Sequence, residues 1–125
     1  MSTLRVSTIQ DTAGSNSSTP AAIANGICKA WVAFNGTGTV AIRSSYNVSS
    51  ITDGGTGIYT VNFTSSLADA NYSAVGTAGY LGGGSEAFLC GHDAAPSAGA
   101  FPLRVILAGS LSYVDKSYVY VSFFR

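Results

Sequence analysis

The stretch KAWVAFNGTGTVAIRSSYNVSSITDGGTGIYTVNF, residues 29–63, decides the fold class because apolar and polar side chains alternate along it. Ala30, Val32 and Phe34 share one face of a first segment, and the same alternation returns over residues 59–63. A period of two is typical of a β-strand that buries one face in a core and leaves the other outside. The stretch therefore predicts a β-meander.

Glycine-rich turns separate the predicted strands of this meander. Residues 35–38 read NGTG and residues 53–57 read DGGTG, and Asn-Gly suits the positive φ values of tight turns. A second strand is predicted over residues 40–48. Ile51 falls out of the apolar phase, which predicts a bulge or strand end near residues 49–50.

Short strand patterns continue through the rest of the chain, and no long segment has a helical period. Further strands are predicted at residues 72–80, 88–92, 104–113 and 118–124. About eight short strands with regular turns predict an all-β fold, an antiparallel β-sandwich of jelly-roll-like type.

The last predicted strand, in SYVYVSFFR, is apolar on both faces. Such a strand is expected to be buried on both sides, either in the centre of the sandwich or at a subunit interface. The sequence therefore predicts a trimeric assembly, because a trimer covers apolar surfaces that a lone sandwich exposes. The predicted interface residues are Tyr118, Tyr120, Val121, Phe123 and Phe124.

Residues 1–26 differ in character from the β-rich remainder. Residues 3–10 are compatible with one short strand, and a polar, turn-rich stretch follows. One helical turn is predicted at residues 20–24, with Thr19 as its cap and Pro20 at the first helical position.

This N-terminal segment is predicted to be an extended arm, with a β-sandwich domain over residues 27–125. The arm is expected to serve in docking or subunit exchange, through Leu4, Val6 and Ile9.

Composition limits the functions open to the chain. It has 125 residues, which favours one domain, and no net charge, which argues against an electrostatic grip on nucleic acid. Charged residues make up 10% of it, against about 25% in an average domain. A surface so poor in charge is expected to be covered by other subunits. The sequence also predicts no signal peptide and no membrane insertion.

The sharpest enzymatic candidate is CGHD, residues 90–93. Cys90 and His92 could form a nucleophile–base pair oriented by Asp93, but a buried thiol beside a histidine at the rim is the commoner arrangement. Cys28, Cys90 and His92 supply at most three zinc ligands and lack paired zinc-motif spacing. The sequence predicts no catalytic residue, no metal site and no cofactor.

Loops and exposed aromatic residues are the remaining candidates for binding. The glycine-rich residues 81–85 and the loop at residues 93–100 are predicted to present contacts outward from a rigid scaffold. The aromatic residues either stack on sugar rings or anchor a core or interface. These aromatic candidates are Trp31, Tyr46, Tyr80 and Tyr113, and the loop candidates are Leu81, Gly83, Ser85, Asp93 and Ser97.

Two segments carry a resemblance to a known group of proteins. MSTLRVSTIQDTAGSNSS, residues 1–18, resembles the opening of small tail-fibre-like and other virion proteins of tailed bacteriophages. Residues 29–64 resemble a β module of such proteins, notably in phages of cyanobacteria and other aquatic bacteria. The resemblance covers about half of the chain and implies a homotrimeric or otherwise multimeric virion component. It supplies no catalytic residues, and no fibre-shaft repeats are present.

The predicted function is therefore that of a non-enzymatic virion protein assembled in the cytoplasm of a host bacterium. The leading hypothesis is a trimeric tail-fibre or tail-appendage component, attached to other virion proteins through the arm and able to contact a host-surface glycan or receptor. The alternatives are a capsid cement protein that stabilises the head and a small Cys/His hydrolase.

Overall fold

The structure is a computed structural model that describes residues 1–79, 94–107 and 109–125, together with the backbone of residues 87–90. These residues form one short helix and eight strands, so the all-β prediction is confirmed. The elements are α1 (Pro20–Gly26), β1 (Cys28–Asn35), β2 (Ala41–Tyr46), β3 (Val48–Gly55), β4 (Ile58–Phe63), β5 (Ser73–Gly79), β6 (Ala87–Cys90), β7 (Ala100–Leu107) and β8 (Tyr118–Phe124).

The strands follow the spatial order β2-β1-β8-β5-β6-β7-β4-β3, and every neighbouring pair is antiparallel. Within the described residues, one residue pair, Ala78 with Ala87, joins β5 to β6. This junction divides the order into a four-stranded sheet, β2-β1-β8-β5, and a second sheet built on β7-β4-β3, with β6 beside β7. The two sheets pack face to face, which confirms the predicted sandwich-like fold.

The core lies between these two sheets and consists of the alternating apolar residues of the strands. Phe123 of β8 contacts Phe63 of β4 and Phe101 of β7, with ring centroids 5.0 and 5.3 Å apart in edge-to-face geometry. Tyr72 packs its ring against all three. Edge-to-face pairs add about 0.5–1.5 kcal/mol each beyond their area burial, so this cluster ties the sheets together.

At the other end of the core, the Phe34 and Tyr59 rings pack edge to face with their centroids 5.2 Å apart. The Tyr59 hydroxyl forms a polar contact there. The Tyr59 hydroxyl lies 2.9 Å from the Gly36 carbonyl oxygen and 2.6 Å from Asp115 Oδ1, which also accepts the Gly57 N–H. Burial, then the hydrogen bond to Asp115, raises the pKa of Tyr59 far above its usual value. A Cβ on Gly36 would lie 2.5 Å from the Tyr59 oxygen, so only glycine fits there.

Asn47 forms the corner at which the chain leaves the first sheet for the second. Its φ is 55°, in the left-handed region that asparagine tolerates better than most residues. The side-chain amide donates to the carbonyl oxygens of Lys29 and Ser65, and its oxygen accepts the Ser65 N–H at 2.8 Å. The strand predicted over residues 40–48 is therefore two strands in different sheets, because this corner interrupts it.

The turns and the irregularity predicted in residues 29–63 are present, with two differences. The positive φ of the first turn falls on Gly38 and not on the predicted Asn35-Gly36 pair, and β3 continues to Gly55, into the second predicted turn. Asn35 closes the β1–β2 turn by accepting from the backbone and hydroxyl of Thr37. The β3–β4 register shifts between Val48 and Ser50, which confirms the predicted bulge.

The strand predicted over residues 104–113 is wrong in its bounds. β7 begins at Ala100, and the chain then folds back on itself, with Gly109 at φ 90° and Leu111 at φ 56°. The Leu107 N–H donates to the Ser112 carbonyl oxygen at 2.8 Å, so the second half of the predicted strand returns along the first.

The N-terminal segment contains little regular structure. The strand compatible with residues 3–10 is reduced to a single antiparallel bridge between Ile9 and Ser18. The predicted helical turn is confirmed and extends to Gly26, and the Thr19 hydroxyl accepts the Ala22 N–H as its cap. Within the described part of the chain, no helix combines the length and the apolarity that a membrane span requires.

Candidate binding surface

The most distinctive surface is the side of the β2-β1-β8-β5 sheet that faces away from the core, hereafter the outer face. One row of paired residues crosses all four strands: Tyr46 of β2, Trp31 of β1, Ser122 of β8 and Val75 of β5. Tyr46 and Val75 are 59% and 62% exposed, and Trp31 is 36% exposed. Two exposed aromatic side chains thus stand directly opposite each other on neighbouring strands.

A second row lies two residues further along the same face. It consists of Ser44, Ala33, Tyr120 and Thr77, again one residue from each strand. Tyr120 is 43% exposed, whereas Ala33 is small and half-buried. Ala33 therefore forms a low point between the rings of Trp31 and Tyr120.

Arg43 and Tyr118 border this surface. The Arg43 guanidinium lies 4.2 Å from the centre of the Tyr118 ring and donates to the carbonyl oxygens of Phe34 and Ser117. Tyr118 in turn stacks on Tyr120 with centroids 6.3 Å apart. The arginine is thus held against the start of β8, where it contacts the Tyr118 ring directly and Tyr120 through that ring.

The residues predicted as an interface on β8 divide between its two faces. Val121 and Phe123 are 3% and 0% exposed and point into the core of the domain itself, so they are not accessible to a neighbouring subunit. Tyr118, Tyr120 and Phe124 lie on the outer face. β8 is therefore apolar on both faces for two reasons. One face packs into the core, and the other contributes to the exposed aromatic surface.

The residues predicted for the docking arm form a second exposed apolar surface, hereafter the arm pocket. Leu4, Val6 and Ile9 are 85%, 42% and 53% exposed. With Ile23 of α1 and Ile27 they line an open pocket of about 550 Å³. The arm pocket lies in the N-terminal segment, outside the core between the sheets.

Of the five residues named in the predicted binding loops, Ser97 alone lies within the described residues. Its backbone N–H and its hydroxyl make hydrogen bonds with Ala100, and its carbonyl oxygen accepts from the Tyr72 hydroxyl at 3.1 Å. Ser97 therefore closes the turn before β7. The other loop residues, Leu81, Gly83, Ser85 and Asp93, lie outside the described residues, as does Tyr80.

The enzymatic candidate cannot be assembled from the described residues, because His92 and the Cys90 side chain lie outside them. Cys28 carries a free thiol that donates to the Ala30 carbonyl oxygen at 3.1 Å. In the part of the chain that the structure describes, no three His, Cys, Asp or Glu side chains come close enough to hold a metal ion.

One surface ion pair ties the end of β8 to the loop before β5. Arg125 donates two hydrogen bonds to the Asp69 carboxylate, one of them at 2.8 Å. The hydrogen bond from Arg125, then that from the Asn71 backbone, lowers the pKa of Asp69 to about 2. Both groups are exposed, so this contact orients the loop and adds little stability. Arg125 also lines a pocket of about 380 Å³ together with Lys29 and Asn47.

Comparisons with protein-family models, with curated proteins and with solved structures returned no match. The fold and the surfaces define the chain as an all-β, sandwich-like protein with an aromatic outer face, whose paired rows carry no charge, and an exposed apolar arm. Its function is therefore argued from these surfaces.

Proposed function

We propose that this chain is a non-enzymatic structural protein of a bacteriophage virion. Its leading role is that of a homotrimeric tail-fibre or tail-appendage component, docked onto other virion proteins through residues 1–26. The observation that carries the proposal is the exposure of the arm pocket in a chain of which only 10% is charged.

The arm pocket supports docking because its apolar side chains are exposed and do not pack into the core between the sheets. Leu4 is 85% exposed and Ile9 is 53% exposed, on a segment held by one β-bridge and a seven-residue helix. Burial of apolar area against a partner stabilises a complex by about 25 cal/mol per Å² before the cost of association is subtracted. The arm is therefore the part of the chain best suited to contact other subunits.

The same surface is the place we propose for self-association into a trimer. Val121 and Phe123 belong to the core of the domain, which removes the centre of the interface expected on β8. The exposed apolar residues of the arm remain, and a short exchanged segment is a common route to closed oligomers. The sandwich is then free to present its outer face and loops toward a host surface.

The position of the chain in an intact particle tests this proposal. Gold-labelled antibody against the chain is expected to mark the tail of the phage in electron micrographs. Labelling of the head would replace the tail role with that of a capsid cement protein. Particles without any label would exclude the virion role.

A pair of variants tests the docking surface itself. The double variant Leu4→Ser with Ile9→Ser is expected to fold normally but to enter particles several-fold less than the wild type. The control is Leu111→Ser, which changes a leucine of similar exposure, 78%, outside the arm. Equal incorporation of the double variant and the control would contradict docking through the arm.

The hydrolase alternative has a direct test in the Cys90→Ala variant. A structural role predicts that phage carrying this variant infect as well as the wild type. A loss of infectivity with normal particle assembly would favour the enzyme.

A further inference from the structure

We propose that the outer face is a binding platform for a neutral glycan, with Trp31 and Tyr46 stacking on its sugar rings. This inference deepens the proposed function, which places a host-surface contact on the sandwich. It concerns the isolated chain, however, so it can fail or hold independently of where the chain sits in a particle.

The first support is the register of the two rings. Trp31 and Tyr46 are direct cross-strand partners, and side chains in such pairs have Cβ atoms about 4.5–5.5 Å apart. Both side chains point away from the core and are at least one-third exposed. The two paired strands therefore present both side chains from neighbouring positions, which makes an apolar strip on this face before any ligand arrives.

The second support is the shape beside this strip. Ala33 follows Trp31 on the same face of β1 and pairs with Tyr120 of β8, whose ring is 43% exposed. A small residue between two aromatic side chains leaves a shallow depression. The Tyr118 ring stacked on Tyr120, with Arg43 above Tyr118, restricts the motion of the far side of this depression.

The third support is the chemistry of the face. A pyranose ring presents a flat side of C–H bonds and a rim of hydroxyl groups. Tryptophan and tyrosine match this pattern, since each joins an apolar ring to one polar group. Ser44 and Ser122 flank the aromatic residues in the same two rows and offer hydroxyls that donate and accept hydrogen bonds.

Charge decides between neutral and acidic glycans. The two rows of paired residues on the outer face contain no charged side chain. Two cations lie beside these rows. The Arg43 guanidinium is engaged by the Phe34 and Ser117 carbonyl oxygens and by the Tyr118 ring, and Lys29, two residues before Trp31 on β1, donates through its ammonium to the Ala24 carbonyl oxygen. Among the described residues, an acidic sugar would therefore meet on this face only cations that already have partners, whereas a neutral sugar needs none.

Size argues against a second copy of the chain as the occupant. From strand spacing and residue rise, the outer face measures about 14 Å by about 20 Å, or about 300 Å² in plan. A stable protein–protein interface buries about 800 Å² on each partner. The outer face is thus less than half of what a dimer needs, but it is large enough for two or three sugar rings.

Tryptophan fluorescence tests the proposal directly, because Trp31 is the single tryptophan of the chain. The full-length protein is titrated with maltotriose, cellotriose and chitotriose, and emission is followed at low and at high salt. We expect a saturable change in emission with at least one of these neutral trisaccharides. The affinity should be the same at both salt concentrations, because no ion pair contributes.

Variants locate the binding site by calorimetry. Trp31→Ala and Tyr46→Ala are each expected to weaken the trisaccharide about tenfold, the loss of one aromatic contact of about 1.4 kcal/mol. The control is Tyr113→Ala, which removes a tyrosine with the same 43% exposure as Tyr120 from outside the outer face. Thermal unfolding of all three variants shows whether each still folds.

Three outcomes would overturn the proposal. The first is the absence of a saturable response to every trisaccharide of the panel. The second is an equal loss of affinity in Tyr113→Ala. The third is an oligomer in sedimentation that Trp31→Ala or Tyr46→Ala dissociates, since a second copy would then cover the outer face.

Discussion

Asn47 acts at the scale of a single residue by holding a strained backbone conformation and bridging two sheets at once. Its side chain makes three hydrogen bonds, to the backbone of Lys29 and of Ser65, at a corner with φ of 55°. This position therefore requires a residue that tolerates positive φ and whose side-chain amide can both donate and accept hydrogen bonds.

We predict that Asn47→Gly and Asn47→Ala destabilise the fold by different amounts. Glycine keeps the backbone conformation but loses the hydrogen bonds, which costs about 1–3 kcal/mol. Alanine loses the same bonds and adds about 1 kcal/mol for a left-handed conformation. Urea unfolding measures both free energies, and an alanine variant as stable as the glycine variant would contradict the role of the backbone strain.

Tyr72 gives a prediction for alkaline pH. Burial raises its pKa from 10.0 to about 12, and its hydroxyl lies 3.1 Å from the carbonyl oxygens of Ser97 and Ala100. Between these pH values the unfolded chain releases the tyrosine proton while the folded chain keeps it, so the unfolded state is favoured. The stabilising effect is complete below pH 10.0 and is lost as pH rises toward 12.

The Tyr72→Phe variant isolates this contribution. It is expected to be less stable than the wild type at neutral pH, because the carbonyl oxygens lose a donor. Its stability should then fall less steeply with pH, since no proton is released at this position. Urea midpoints taken from about pH 8 to about pH 11 measure the two slopes, and parallel slopes would show that Tyr72 does not contribute.

At the scale of elements, β8 shows how adjacent residues of one strand meet opposite environments. Val121 is 3% exposed and lies between β1 and β5 with its side chain in the core. Ser122 follows it on the outer face. We predict that Val121→Asp costs more than about 3 kcal/mol, because it buries an unpaired charge.

Ser122→Asp is the matched control, since it places the same charge one residue later where water reaches it. It is expected to change the unfolding free energy by less than about 1 kcal/mol. Val121→Thr covers the case in which the aspartate variant does not fold, and a single buried hydroxyl should cost about 1–3 kcal/mol. Equal effects of the two aspartate variants in urea unfolding would show that β8 is not buried on this side.

The bounds of the elements could be predicted where the residues of the turn or cap themselves favour that conformation. The Asn35 turn, the bulge after Val48 and the Thr19 cap all follow from local side-chain chemistry. The fold-back after β7 was missed because Gly109 and Leu111 look compatible with a continuing strand. The hydrogen bond from Leu107 to Ser112 closes this turn within six residues, so the contact that defines the fold-back is local.

At the scale of the whole molecule, low charge and the exposed arm predict self-association. The full-length chain is expected to sediment as a multimer, consistent with a trimer, at micromolar concentration. The double variant Leu4→Ser with Ile9→Ser should shift it toward the monomer, whereas Leu111→Ser should not. A wild-type chain that sediments as a monomer would contradict the proposed assembly.

Part of the candidate binding surface could be predicted from the sequence. Trp31 and Tyr46 were each recognised as aromatic residues able to stack on sugars. Their pairing could have been found by extending the β1–β2 hairpin from the turn at Asn35, which brings these positions opposite each other. The contribution of Tyr120 could not have been found in this way, because it depends on β8 lying beside β1. The end of β1 and the start of β8 are separated by 82 residues along the chain.

The sequence by itself determined most of the strands and turns and the buried faces of β1 and β4, because alternation and turn chemistry are local properties. Only the tertiary structure decided which strands are neighbours. It placed β8 between β1 and β5, divided the chain at Asn47 and brought the Asp115 carboxylate to the Tyr59 hydroxyl. Strand order depends on contacts between residues far apart in the chain, and those contacts leave no periodic signal in any one segment.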